Sequence, residues 1–181
     1  MDPGPDGRIP SLHIAYSGAP GDLRSSAYSA SIPNGFFQTI RFFDPGEITG
    51  ASLYANALHI GDGSQHLVVK NIGQSAITVS GSLYLLGGPK SMRTLPMMPT
   101  PIAAGASREL ELPQAPAALA LDGSAIKLES SGGPATMIVA FSSFDPVSQI
   151  AQSAPFKDTG SYGVSTGRYP WRLDGGRSSR V

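Results

Sequence analysis

The clearest order in the chain is an alternation of apolar and polar positions with period two. Ile77, Val79, Leu83 and Leu85 stand opposite Thr78, Ser80, Ser82 and Tyr84, which predicts a half-buried strand with Gly81 marking a bulge or bend in its middle. The same alternation places Leu67 and Val69 opposite His66, Val68 and Lys70. It sets Arg108, Leu110 and Leu112 against Ser107, Glu109 and Glu111, and Ile126 and Leu128 against Lys127 and Glu129. Thr136 to Phe141 is apolar on both faces, the pattern of a strand inside a sheet. Turn signals fall between these runs at Gly61-Asp62-Gly63, Gly73, Gly87-Gly88-Pro89, Gly105, Asp122-Gly123 and Ser131 to Pro134. Ala115 to Leu121 alone reads as a brief helical connection. The expected fold is all-β, a single β-sandwich of seven to nine strands with jelly-roll or immunoglobulin-like topology.

Before this region the pattern changes. Residues 1–46 hold six prolines and six glycines, too many breakers for a compact core, and are expected to form an extended amino-terminal arm. Two apolar stretches interrupt it. Leu12, Ile14 and Tyr16 alternate with Ser11, His13 and Ala15, and in the run Phe36 to Phe43, which also contains Phe37, a strand places Phe36, Ile40 and Phe42 on one face. Such strands need a partner surface, within the same domain or on another copy. The division expected is an arm at 1–46, the sandwich at 47–160 and a carboxyl-terminal linker or strand segment at 161–181.

Composition narrows the function classes. The 181 residues include 22 glycines and 16 prolines, a turn-rich balance. Thirteen basic and thirteen acidic residues give no net charge, so neither nucleic acid nor an anionic membrane is an expected partner. Absence of cysteine removes disulfides and thiolate chemistry, and no apolar run is long enough for a membrane-spanning helix. Four lysines beside abundant serine, glycine and proline suit an extracellular surface.

Candidate chemistry is sparse. Gly163-Val164-Ser165-Thr166-Gly167 matches a hydrolase elbow in letters, but Pro170 follows closely and no histidine lies downstream of His66 to serve as base. His59 and His66 are expected to flank a hairpin turn around Asp62, too few ligands for zinc. The Asp-Gly pairs read as turns, since calcium needs six to eight oxygens. Glu109 and Glu111 read as a solvated pair on an edge or surface strand. No catalytic, cofactor or metal site is expected, and the chain is not expected to be an enzyme.

The stretches Leu67 to Gly73, Gly81 to Tyr84, Leu95-Pro96 through Ala104 to Leu112, and Tyr169-Pro170-Trp171-Arg172-Leu173-Asp174-Gly175 resemble a group of bacterial secreted β-sandwich modules, immunoglobulin-like or jelly-roll in style and without assigned function. The resemblance covers roughly residues 50–175. In such modules the last heptad leads from one module into the first strand of the next, which implies junction roles for Tyr169, Trp171 and Leu173. Combined with the apolar strands of the arm, this gives the expectation of a structural subunit of an extracellular bacterial filament or surface assembly. Copies would join head-to-tail by strand exchange, the partner being the protein itself. The alternative expectation is a carbohydrate-binding or adhesive module, with aromatic residues around Trp171 stacking on glycans.

Overall fold

The computed structural model describes residues 14–19, 22, 23, 25, 27–31, 36–40, 42, 50–60, 63–86, 92–114, 122–145 and 150–158. Among them there are only strands, turns and irregular segments. Eleven strands occur in chain order: β1 (Ala27–Ser31), β2 (Phe36–Ile40), β3 (Ser52–His59), β4 (Ser64–Asn71), β5 (Ile77–Leu86), β6 (Met92–Ile102), β7 (Ser107–Leu110), β8 (Asp122–Ser130), β9 (Met137–Asp145), β10 (Ile150–Pro155) and β11 (Lys157–Asp158). One sheet has the order β11-β3-β8-β5-β6 and the other β10-β9-β4-β7, while β1 and β2 form a separate two-stranded ribbon. All pairings are antiparallel. The fold is a β-sandwich, as the alternation predicts.

One core fills the space between the sheets. Leu53, Ala55 and Leu58 of β3, Ile77, Val79, Leu83 and Leu85 of β5, and Ile126 and Leu128 of β8 meet Leu67 and Val69 of β4 and Met137, Val139 and Phe141 of β9 in a single buried cluster. The apolar positions of the period-two runs are those that are buried. In β9 the second apolar face is used too, since Ile138 packs partly buried against the same core. The strand lies between β10 and β4, where a two-sided apolar sequence belongs.

Two irregularities adjust the alternation. In β3 the buried positions move from Leu53 and Ala55 to Leu58 and Ile60, and the pairing with β8 shifts register between Ala55 and His59, so a bulge returns the later apolar residues to the core. In β5, Gly81 sits where pairing with β6 shifts register. A side chain there would collide with the Lys127 carbonyl and with Leu128 of β8, so the predicted irregularity has a steric cause in the close approach of β8.

The turn from β8 to β9 closes through hydroxyl groups. Thr136 Oγ1 donates to the Gly133 carbonyl at 2.8 Å and lies 2.7 Å from Ser130 Oγ, which accepts from the Gly132 amide at 3.1 Å. Gly133 has φ +81° and Ala135 φ 53°, so the turn uses the left-handed region twice.

Two expectations need correction. Asp122 and Gly123 are not a turn but the first residues of β8, with Asp122 paired to His59. His59 and His66 do not flank a hairpin: β3 and β4 belong to different sheets, so the connection between them crosses the sandwich. Within the expected extended arm, Ala27–Ser31 and Phe36–Ile40 pair with each other, with Ala27 opposite Ile40 and Ser31 opposite Phe36, and β2 runs beside β10. The helical connection expected at 115–121 lies outside the described residues.

Candidate functional site

The sandwich has two flanks, and they differ. On one, β11 and β10 end the two sheets; the chain enters here, with Gly50 pressed against the Asp158 carboxylate, and the β1–β2 ribbon lies beside β10. On the other, β6 and β7 are the terminal strands and approach each other across the sandwich.

β6 is unusual in carrying Pro96, Pro99 and Pro101. Proline has no N–H to give to a ladder and is confined to edge strands, with the missing donor facing outward. All three prolines are exposed, whereas Met97 and Ile102 are buried, so the prolines share the outer face of the strand. Neighbouring residues of a strand direct their backbone groups to opposite sides, so outer-face residues all turn theirs to the same side. Since β5 occupies the inner side, the outward edge of β6 lacks donors at these positions. The bulge opposite Ser80, at Met98 and Pro99, breaks that edge further.

β7 has only four residues and no proline. Arg108 and Leu110 pair with Val69 and Leu67, which are buried inner-face residues, so the Arg108 side chain starts on the inner face. It reaches across the flank, its Nη1 donating to the Pro101 carbonyl at 3.3 Å. On the outer face, Glu109 accepts from or pairs with His66, Oε1 to Nδ1 at 2.7 Å, and both side chains are about half exposed. Glu109 is thus the edge-strand surface residue that the sequence predicts. A groove of about 590 Å³ runs along the flank, lined by Met98, Pro99, Pro101, Arg108, Leu110 and Leu112 among others.

The predicted subunit-interaction residues are placed as follows. Ile14 and Tyr16 are exposed and belong to no strand. Instead of the expected strand, this segment ends in a local turn: the Tyr16 hydroxyl donates to the Ala19 carbonyl at 3.2 Å, and the Ala19 amide donates to Asp22 Oδ2 at 2.7 Å. An isolated strand has no ladder to satisfy its backbone, and the aspartate turn supplies a local substitute. Phe36, Phe37 and Ile40 are in β2, and Phe42 follows it half-buried. Leu12, Tyr169, Trp171 and Leu173 lie outside the described residues, as does the Gly163–Gly167 run.

The outer face of the five-stranded sheet is polar and aromatic. Tyr54 stands opposite Lys127, Ser82 lies on its other side, and Tyr84 is two residues further along β5. Lys127 Nζ lies 2.7 Å from Glu129 Oε1. The hydrogen bond and charge of Glu129 raise the lysine pKa above its ordinary value. Among the described residues no group of three or more histidines, cysteines, aspartates or glutamates is arranged to hold a metal ion. Sequence reading missed Asn71, which is fully buried and links the two sheets through Ile102; its signal was the Asn-x-Gly spacing of Asn71 and Gly73.

Comparison with known proteins found no matching protein family, no similar curated protein and no similar solved structure.

Proposed function

We propose that the protein is a structural subunit of an extracellular assembly, in which the sandwich is a scaffold and the amino-terminal segment joins one copy to the next by strand addition. The observation that carries this reading is the exposure of Ile14 and Tyr16, 40% and 49%, on a segment outside both sheets. Apolar side chains two residues apart on a segment that belongs to neither sheet are suited to one face of an added strand. Each Ile or Tyr buried in that way contributes on the order of 1.5–3 kcal/mol, offset in part by the entropy of association.

The test is sedimentation velocity and negative-stain microscopy of the full chain over a range of concentrations, beside the double variant Ile14→Asp/Tyr16→Asp. Concentration-dependent polymers are expected for the parent chain and a monomer for the variant, with the same far-ultraviolet circular dichroism. A parent chain that stays monomeric at every concentration overturns the reading.

The second reading, a glycan-binding module, is favoured by one feature, the placing of Tyr54 opposite Lys127 and of Tyr84 diagonally from that lysine on the outer face of the five-stranded sheet. Retention on a glycan array, lost in Tyr84→Ala while the oligomeric state is unchanged, would select it over assembly.

A further inference from the structure

Among the described residues, large apolar side chains are exposed at two places. Ile14, Tyr16 and Leu23 precede β1, and Met98, 83% exposed, stands on β6 beside the flank groove. Soluble proteins rarely leave apolar patches uncovered without use. The ribbon that follows residues 14–23 lies beside β10, whereas the groove lies at the opposite ends of the sheets.

We infer that the β6–β7 flank is the acceptor for residues 14–16 of a second copy, added as a strand to the free edge of β7. This rests on the assembly reading above and names its receiving surface. Of the two terminal strands on this flank, β6 is blocked by Pro96, Pro99 and Pro101, while Ser107–Leu110 has no strand beyond it among the described residues and keeps its backbone donors and acceptors on that side. A strand added there turns alternate side chains inward, beside Arg108 and Leu110. Ile14 and Tyr16 then enter the groove along Met98 and Leu112, and Ala15 faces out. The occupant segment Ile14 to Ala19 is uncharged, so it brings no charge of its own beside the Arg108 side chain that crosses the flank. The donor segment and the acceptor edge are different surfaces of the chain, so the contact is heterologous, and its repetition yields an open chain of subunits unless the rotation closes a ring.

The absence of cysteine makes the test direct. Ile14→Cys and Met98→Cys are made as separate full-length variants, both at exposed positions, and folding is checked by circular dichroism. The two are mixed and treated with a short bismaleimide. A two-chain product, at least tenfold more abundant in the mixture than in either variant alone, is the expected result. In the double variant at high dilution, an intramolecular cross-link would show that the chain's own segment fills the groove and would overturn the inference. Polymers that form normally without any 14-to-98 cross-link would overturn the acceptor surface and leave the assembly reading standing. A parent chain that forms no polymers and no cross-link would overturn both. As an independent readout, Met98→Asp should weaken assembly about tenfold while leaving the monomer's thermal midpoint unchanged; unaltered assembly in Met98→Asp counts against the groove.

Discussion

A buried amide is stable only when both of its ends find partners, and Asn71 meets that condition at three points. Its Nδ2 donates to the carbonyls of Ser75 at 2.8 Å and Ile102 at 3.0 Å, and its Oδ1 accepts from the Gly73 amide at 2.8 Å. The residue therefore folds the turn after β4 and ties it to the end of β6 in the other sheet. Asn71→Ala leaves two carbonyls and an amide without these partners and should cost about 2–4 kcal/mol in urea unfolding. Asn71→Asp should be no better at neutral pH, since a carboxylate cannot donate to either carbonyl; a loss under about 0.5 kcal/mol for the alanine variant would mean that water replaces the side chain. Ser143 presents the opposite case, because its buried hydroxyl has no hydrogen-bond partner. Ser143→Ala should be neutral or stabilising by up to about 1 kcal/mol, and a clear loss of stability by the same measurement would reveal a partner for the hydroxyl. Neither role is legible from periodicity, which reports which face is apolar and says nothing about which buried polar atoms are paired.

At the scale of the element, the strands with clean alternation were readable because a face that enters the core must be apolar at every second position. β4, β5 and β8 are of this kind, while β9 was readable as an interior strand because both of its faces are apolar. β6 was not readable as a strand because its three prolines argue against one, and the structure resolves the conflict by placing it at an edge. This gives the prolines a role that can be tested. Replacing Pro96, Pro99 and Pro101 together with threonine restores three outward donors on a strand of good β-propensity, and should make the protein associate edge to edge, seen as rising light scattering at concentrations where the parent is clear. Scattering no different from the parent would mean the bulge at Met98 and Pro99 alone protects the edge. Gly81 is the other element-level device, and here the sequence reading and the structure agree. Gly81→Ala must displace the Lys127 carbonyl or Leu128, and should destabilise by about 1–3 kcal/mol in the same unfolding measurement, whereas a neutral substitution would show that β8 can move aside.

For the whole molecule, what local pattern could not supply was the partner of each strand. β3 pairs with β8 and β4 with β9, strands separated by most of the domain, while β3 and β4, neighbours in sequence, lie in opposite sheets. That arrangement separates His59 and His66, whose short spacing in sequence suggests a hairpin, onto strands of different sheets. It also determines how the molecule should unfold. Because six of the eight connections from β3 to β11 pass between the sheets and both sheets contribute to one core, neither sheet retains its buried face if the other is lost. Unfolding should therefore be a single transition, the same by circular dichroism and by tyrosine fluorescence. Phe141, buried to 1% in the centre of the four-stranded sheet, provides the decisive variant. Phe141→Ala should lower stability by about 3–5 kcal/mol and move both probes together, although the cavity lies on only one of the sheets. Two separated transitions in this variant would mean that the five-stranded sheet stands without its partner. The N-terminal segment enters that argument differently: if it works as an intermolecular strand, raising the protein concentration should move the transition of the parent chain upward and leave that of Ile14→Asp/Tyr16→Asp where it is, since association stabilises the folded state only in proportion to the copies available to bind.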